Sequence, residues 1–260
     1  MMSPITDIGP LQLALCLLFT IIAGAASMAH GLGLGRDLFI GTVRTFAQLF
    51  LMGYVLKFVF RLDMAAPVIG LFLIMVGAAT HIIRGRVGQK DISVVLPTFA
   101  AMFISYFAMS VMVTGVIVGA DPWWKPQYFI PLAGMIVGNA MTAVAISLER
   151  LFSDLKAHRN EVEMRLALGA TPAEASRRFV ADAIRAGMIP SINSLMGVGI
   201  VFLPGMMTGQ ILAGADPMVS IRYQIMVMLM LVASVALGSV IVVRLVRNRC
   251  FGKAQELLVR

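Results

Sequence analysis

Polar side chains are scarce in this 260-residue, 59% hydrophobic chain, so those inside its apolar stretches mark where chemistry can happen. Arg44 and Gln48 stand four apart, which places them on one face of a helix. Asn139 and Thr142 share a face of a second apolar helix, and Asn193 and Ser194 come early in a third. In hydrocarbon such groups either bond to a neighbouring helix or line a polar path between helices. Downstream, the run FLPGMMTGQILAG sets Pro204 beside Gly205. Proline lacks the backbone donor that a helix needs, and both residues interrupt helices, so a kink or break is expected there. Irregular backbone at membrane depth is tolerated only under protein or beside water. A cavity or gate is therefore expected next to Met206, Met207, Thr208 and Gln210. The chain's 20 methionines also supply ordinary apolar packing. His81 falls at the inner end of an apolar stretch, where a headgroup-level position suits it better than a ligand role. With three scattered histidines and no His/Asp/Glu constellation, no catalytic site is legible.

The longest polar island runs from Glu163 to Pro190, EMRLALGATPAEASRRFVADAIRAGMIP, between two strongly apolar segments. Its chemistry is that of two helices meeting at a turn. Gly169 suits the left-handed position that closes a helix. Thr171, Pro172 and Glu174 then read as N-cap, N1 and N3, a capping box with proline at its favoured first position. A short helix starts at Pro172 and carries Arg177 and Arg178 into water. Upstream, Leu148, Leu151, Phe152, Leu155, Val162 and Leu166 keep helical spacing, which predicts one helix running from the apolar segment as far as Gly169. Glu161 and Arg165 form an i,i+4 pair along it.

These elements belong to a membrane protein. A mean hydropathy of +0.90 with 13% charged residues excludes an ordinary soluble domain. The net charge of +8 sits in loops, which reports membrane orientation and lipid headgroups rather than a nucleic-acid partner. Seven stretches reach the roughly 20 residues a span requires, near 9–30, 38–60, 65–83, 92–119, 128–149, 186–212 and 218–243. The expected fold is thus all-α: a polytopic bundle of about seven spans forming one domain over 1–260, with a cytoplasmic helix-turn-helix at about 150–185. Seventeen of the 21 basic residues fall inside when the N-terminus is outside, among them Arg36, Arg84, Arg86, Lys90 and those of the tail. Lys57, Arg61, Lys125 and Arg222 are the exceptions. That asymmetry gives an N-out, C-in chain. Trp123, Trp124 and Tyr128 suit an outer interfacial belt. No basic residue precedes Arg36, so the first apolar run reads as a retained helix and not as a signal peptide.

Absences narrow the function. No G-x-x-x-x-G-K-[ST] occurs, so any ATP-driven work requires another subunit. Gly31, Gly33 and Gly35 form G-x-G-x-G without a preceding strand, which reads as a tight loop. Cys16 lies mid-span and Cys250 in the tail, so no disulfide is expected.

Longer runs carry a resemblance. GMIVGNAMTAVAISLERL (134–151), LGATPAEA (168–175), PSINSLMGVGIVFLPGMMTGQILAG (190–214) and RYQIMVMLML (222–231) resemble the FetB-type family of ABC transporter permeases, with RTFAQLFLMGYVL (44–56) in keeping. That family includes bacterial iron-export permeases and plant permeases linked to aluminium tolerance. The polar island also resembles the EAA loop of ABC importers. Glu163 stands six before Gly169 as that pattern asks, while Met164 and Arg165 replace its alanines. The resemblance implies that 170–178, including Ala170, is a coupling helix docking into an ATP-binding subunit. Glu163, Gly169, Thr171, Pro172, Glu174, Arg177 and Arg178 belong to that coupling region. It further implies a homodimer in a bacterial inner membrane working with two ATPase copies, which hold the ATP and Mg. This chain itself binds no cofactor and catalyses nothing.

A gradient-driven secondary transporter or channel is the rival reading. Such proteins keep an intramembrane carboxylate, whereas here the acid nearest a span interior is Glu149 at an inner end. The cargo divides between iron or a related metal complex and a non-metal cargo such as a nucleotide-sugar. Iron prefers oxygen and imidazole donors, and the spans supply amides, hydroxyls and thioethers without a carboxylate cluster.

Overall fold

A computed structural model describes residues 8–87, 94–252 and 254–259. Lys90, Lys253 and Arg260, counted above among the inside charges, and the first residues of the expected fourth span lie outside them. Helices dominate, and no strand longer than an isolated bridge occurs among the described residues. The helices are α1 (Pro10–Ala29), α2 (Gly35–Leu62), α3 (Ala65–Arg86), α4 (Val95–Val111), α5 (Pro126–Ala157), α6 (Arg159–Ala167), α7 (Pro172–Ala175), α8 (Arg177–Gly197), α9 (Gly205–Leu212) and α10 (Pro217–Arg249). Six segments among the described residues are long and apolar enough to cross a membrane: α1, α2, α3, α4 with its π-helical extension Met112–Ile117, α5 and α10.

The chain divides into two compact units. The first holds α1 and α2 and takes in Leu212–Gly214; the second comprises Met64–Ile211 and the chain from Ala215 on. In the first, α1 and α2 pair across the glycine-rich loop. Gly31 and Gly33 take positive φ, and Ser27 Oγ accepts from the Leu34 amide at 3.0 Å. The G-x-G-x-G run is a tight loop, as expected.

The second unit is built around α5, which packs against α3, α4, α8 and α10. Small residues allow the close approaches. A Cβ on Gly187 of α8 would overlap Ser147 Oγ and come within 2.5 Å of the Ala143 carbonyl of α5. On α10, a Cβ on Gly238 would overlap the Tyr106 hydroxyl of α4. One end of the unit is held by aromatic rings: Phe72 lies 5.8 Å from Phe103, 5.7 Å from Phe107 and 5.9 Å from Phe129. Trp123, expected in an interfacial belt, also packs edge-on against Phe107 and Phe129. The π-helical segment sits beside this cluster, with Gly115 against the Trp123 side chain.

Two expectations change. The helix entering the polar island does not run unbroken to Gly169: α5 ends at Ala157 and α6 begins at Arg159. His158 leaves the helical region at φ −109°, ψ 27°, with its Nδ1 3.0 Å from the Asp154 carbonyl and its ring 5.2 Å from that of Phe179. The apolar spacing survives the break because Leu148, Leu151, Leu155 and Val162 are all fully buried. The expected span 186–212 is likewise not one helix. Its first part belongs to α8, which starts in the polar island, and an irregular link 198–204 separates it from the two turns of α9. A break at Pro204 and Gly205 is present, but the helix has already ended at Gly197. Gly199 takes φ +84°, where a β-carbon is strained, so the chain turns before proline is reached.

Candidate functional site

A cavity of about 470 Å³ opens in the second unit between α5, α8, the 198–204 link and α10. From α5 come Met135, Asn139 and Thr142; from α8, Pro190, Ser191 and Ser194; from the break, Pro204, Gly205 and Met206; from α10, Gln224 and Met228. Helical periodicity explains the α5 set, since 135, 139 and 142 repeat at i, i+4 and i+7. Proline at 190 removes a backbone donor from α8 just where the helix flanks the cavity.

The polar groups are partly engaged. Asn139 Nδ2 donates to the Met135 carbonyl at 2.9 Å, and Ser194 Oγ donates to the Pro190 carbonyl at 3.0 Å. Thr142 Oγ1 stands 3.5 Å from the Gly138 carbonyl. Gln224 differs: its side chain is 6% exposed, and Oε1 is buried without a hydrogen-bond partner among the described residues. A buried amide oxygen left unpaired costs about 1–3 kcal/mol. Gln224, Leu203, Pro204 and Met228 also border a second, more apolar cavity of about 360 Å³ that includes Met207. Among the described residues, no charged one lines either cavity.

Of the path and gate residues read from the sequence, Asn139, Thr142, Pro204, Gly205 and Met206 come together in the larger cavity, and Met207 faces the second. Asn193 is exposed on α8, and Gln210 of α9 has a buried, unpartnered Oε1 but lines neither. Arg44 and Gln48 lie on α2 in the first unit, both exposed. Met135, Pro190, Ser191, Gln224 and Met228 escaped the sequence reading. For Gln224 the signal was present: it is a lone amide in the apolar run RYQIMVMLML, where an unpaired polar group is costly. No group of three or more His, Cys, Asp or Glu able to hold a metal occurs among the described residues.

The polar island folds into the turn its residues dictate. Gly169 adopts φ +92°; its amide donates to the Leu166 carbonyl, and the Ala170 amide to that of Arg165, both at 3.0 Å. This is a Schellman closure. Thr171 then caps α7: its Oγ1 accepts from the Glu174 amide at 3.3 Å, while Glu174 Oε2 accepts from the Thr171 amide at 2.8 Å and its hydroxyl at 2.7 Å. Those bonds, the amide first, hold the Glu174 carboxyl below its ordinary range. Pro172 occupies N1 as expected. Ser176 Oγ donates to the Pro172 carbonyl at 2.6 Å where α7 runs into α8. Glu163 pairs with Arg159 and Glu161 with Arg165, each at 2.7 Å. Arg177 and Arg178 are both exposed.

Comparison with known proteins places this architecture. The model of the Uncharacterised protein family (UPF0014) matches residues 10–251. The chain belongs to the UPF0014 family. Relatives include the UPF0014 membrane protein slr1647 of Synechocystis, 38% identical over 88% of this chain and 89% of its own length. The Probable iron export permease protein FetB of Escherichia coli is 34% identical over 95% of this chain and 94% of its own. Protein ALUMINUM SENSITIVE 3 of Arabidopsis thaliana is 34% identical over 96% of this chain and 90% of its own. No solved structure matches. UPF0014 membership spans both cavities and the capped turn, so the site lies within the part of the chain that the family shares.

Proposed function

We propose that this chain is the membrane-spanning permease subunit of an ABC transporter, exporting iron or a related metal complex from a bacterial cell across the inner membrane. Two copies form the pathway, and each docks 170–178 into a separate ATPase subunit that holds ATP and Mg. The observation that carries the reading is the turn at 165–176. A Schellman-closed helix followed at once by a capping box makes a rigid, water-exposed projection, and it sits in a chain without a P-loop. The likeness to a protein named an iron export permease supports the direction and the metal.

The larger cavity is the cargo path in this reading. Its uncharged lining bears on the cargo's form. A bare dication leaving water needs compensating carboxylates, whereas Asn139, Thr142, Ser191, Ser194 and Gln224 offer only neutral oxygen and nitrogen atoms, and three methionines offer thioethers. A metal bound in a complex that masks its charge suits this wall better than a free ion. Alternation between inward- and outward-open states would proceed by rigid-body rocking of packed helices.

Reconstitution with the candidate ATPase tests this. The expected result is co-purification at equal stoichiometry and accumulation of iron inside proteoliposomes whose ATPase faces the added ATP. Full-rate transport by the chain alone, without ATP, would overturn the reading in favour of a gradient-driven transporter.

A further inference from the structure

A third cavity, of about 330 Å³, lies between α7, α8 and the end of α10. Arg177 enters it from α8, and Arg244 and Arg247 from the last two turns of α10. Ala173, Val180, Ala181 and Ile184 complete the wall. The spacing 173, 177, 180, 184 is a single helical face carried through the α7–α8 junction, and 244 and 247 are one turn apart on the facing helix.

The charge there is one-sided. No carboxylate lines the cavity, and among the described residues none approaches Arg177, Arg244 or Arg247 within 4.0 Å. The acids of α7 and α8, Glu174 and Asp182, are committed elsewhere. Asp182 pairs with Arg185 at 3.2 Å and with Arg178 at 3.8 Å, and Glu174 is held by Thr171. Arg247 Nε is buried with no hydrogen-bond partner among the described residues. Arg177 and Arg244 hold exposed charges at the rim, while the half-buried Arg247 turns an orphaned donor inward; an anion among them would satisfy that donor and relieve the like-charge repulsion.

We propose that Arg177, Arg244 and Arg247 form a binding site for a phosphate-bearing group. Guanidinium forks match phosphate oxygens in paired hydrogen bonds. The apolar remainder of the wall, Val180, Ala181 and Ile184, suits the glycerol and first acyl carbons of a phospholipid whose headgroup meets the arginines. Basic pockets between helices at a membrane's inner surface hold anionic headgroups in this way. A free phosphate would use the same three arginines and leave the apolar wall unfilled. The site shares Arg177 with the proposed coupling segment 170–178, but its test requires neither ATPase nor transport.

Native mass spectrometry of the full-length chain in detergent tests the site, with phosphatidylglycerol, phosphatidylcholine and inorganic phosphate as probes. Phosphatidylglycerol is expected to be retained more strongly than phosphatidylcholine. R177Q should weaken that retention about fivefold and R244Q/R247Q about thirtyfold, with elution profiles unchanged. R249Q removes a cation from the same helix end but not from the cavity, and should leave retention intact. Saturation by inorganic phosphate alone, lost in the same variants, supports the site with a free anion as its occupant. Equal retention in all variants, or failure of every phosphate-bearing probe, overturns the proposal and leaves the arginines to a partner's carboxylates.

Discussion

The turn at 165–176 and the break at 198–204 interrupt helices in opposite ways. Both rest on a glycine of positive φ, Gly169 at +92° and Gly199 at +84°. At the turn, side chains finish what the backbone begins: Thr171 and Glu174 exchange bonds, and Ser176 closes the junction with α8. At the break, backbone bonds close the chain, Val201 to Gly197 at 2.8 Å and Gly199 to Phe202 at 2.9 Å, with a side-chain bond from Thr208 Oγ1 to the Pro204 carbonyl at its far end. Its residues Ile200 and Val201 are 92% and 81% exposed, and Gln224, which lines both cavities it borders, holds an unpartnered oxygen. A segment whose capping side chains bond one another keeps one shape. A segment edged by cavities and an unsatisfied amide is suited to receiving something and moving with it.

The largest expected effect separates the two glycines. Valine at either position forces a β-branched residue into the left-handed region, at about 1–3 kcal/mol. Gly169→Val should abolish ATPase co-purification while yield and detergent size stay normal, since the strain tilts an exposed projection. Gly199→Val should keep the ATPase bound and reduce transport by reshaping the cavity wall. If both variants lose the ATPase, or both keep it, the division of labour between turn and break collapses.

Next in size is Gln224→Leu. Where an amide oxygen is merely orphaned, leucine removes a penalty and raises thermal stability by about 1 kcal/mol. The cargo reading adds a second expectation: ATP-driven export falls at least about tenfold, the effect of one lost hydrogen bond to cargo at the charge-free wall. Gln224→Asn should recover part of the export without the gain in stability. Increased stability with unchanged export would make Gln224 a packing defect and move the path elsewhere.

How far the sequence was legible follows the same division. The turn could be read residue by residue because Gly169, Thr171, Pro172 and Glu174 act on neighbours within three positions, and local chemistry needs no tertiary partner. Six long apolar helices were visible through hydropathy, which is additive along the chain, but the same signal joined α8, the link and α9 into a seventh. The break at His158 was hidden, because the apolar period continues across it and the ring contact that accompanies it is with Phe179, 21 positions later in the chain. The break after Gly197 was assigned to Pro204 because proline is the louder signal, while Gly199 acts only in concert with the backbone bonds around it. Gln224 belongs to a cavity made by four segments, so its neighbours Asn139 and Pro204 cannot be inferred from its own surroundings.

The smallest effect expected is a titration confined to the turn. The Thr171 amide and hydroxyl both donate to Glu174 and hold its carboxyl below the ordinary range, which for glutamate lies near about 4.3. A carboxyl whose folded pKa is lowered stabilises the folded turn wherever it is ionised, that is, above the unfolded value. The contribution is lost as pH falls through the lower, folded value. With ¹⁵N-threonine labelling in detergent, the Thr171 amide resonance should therefore stay constant from neutral pH to the ordinary glutamate range. It should shift only below it, as protonation weakens the N–H to carboxylate bond. Glu174→Gln should remove the shift. Ser176→Ala, which leaves the capping box intact, should preserve it. Thr171→Ala would be followed through Glu174 itself by carbon labelling, and its titration should return toward the ordinary value because the hydroxyl donor is gone. A Thr171 midpoint at the ordinary glutamate value would mean that the capping box is not formed in solution. The turn would then be closed by Gly169 alone, as the break is by Gly199, and the contrast between the two segments would lose its basis.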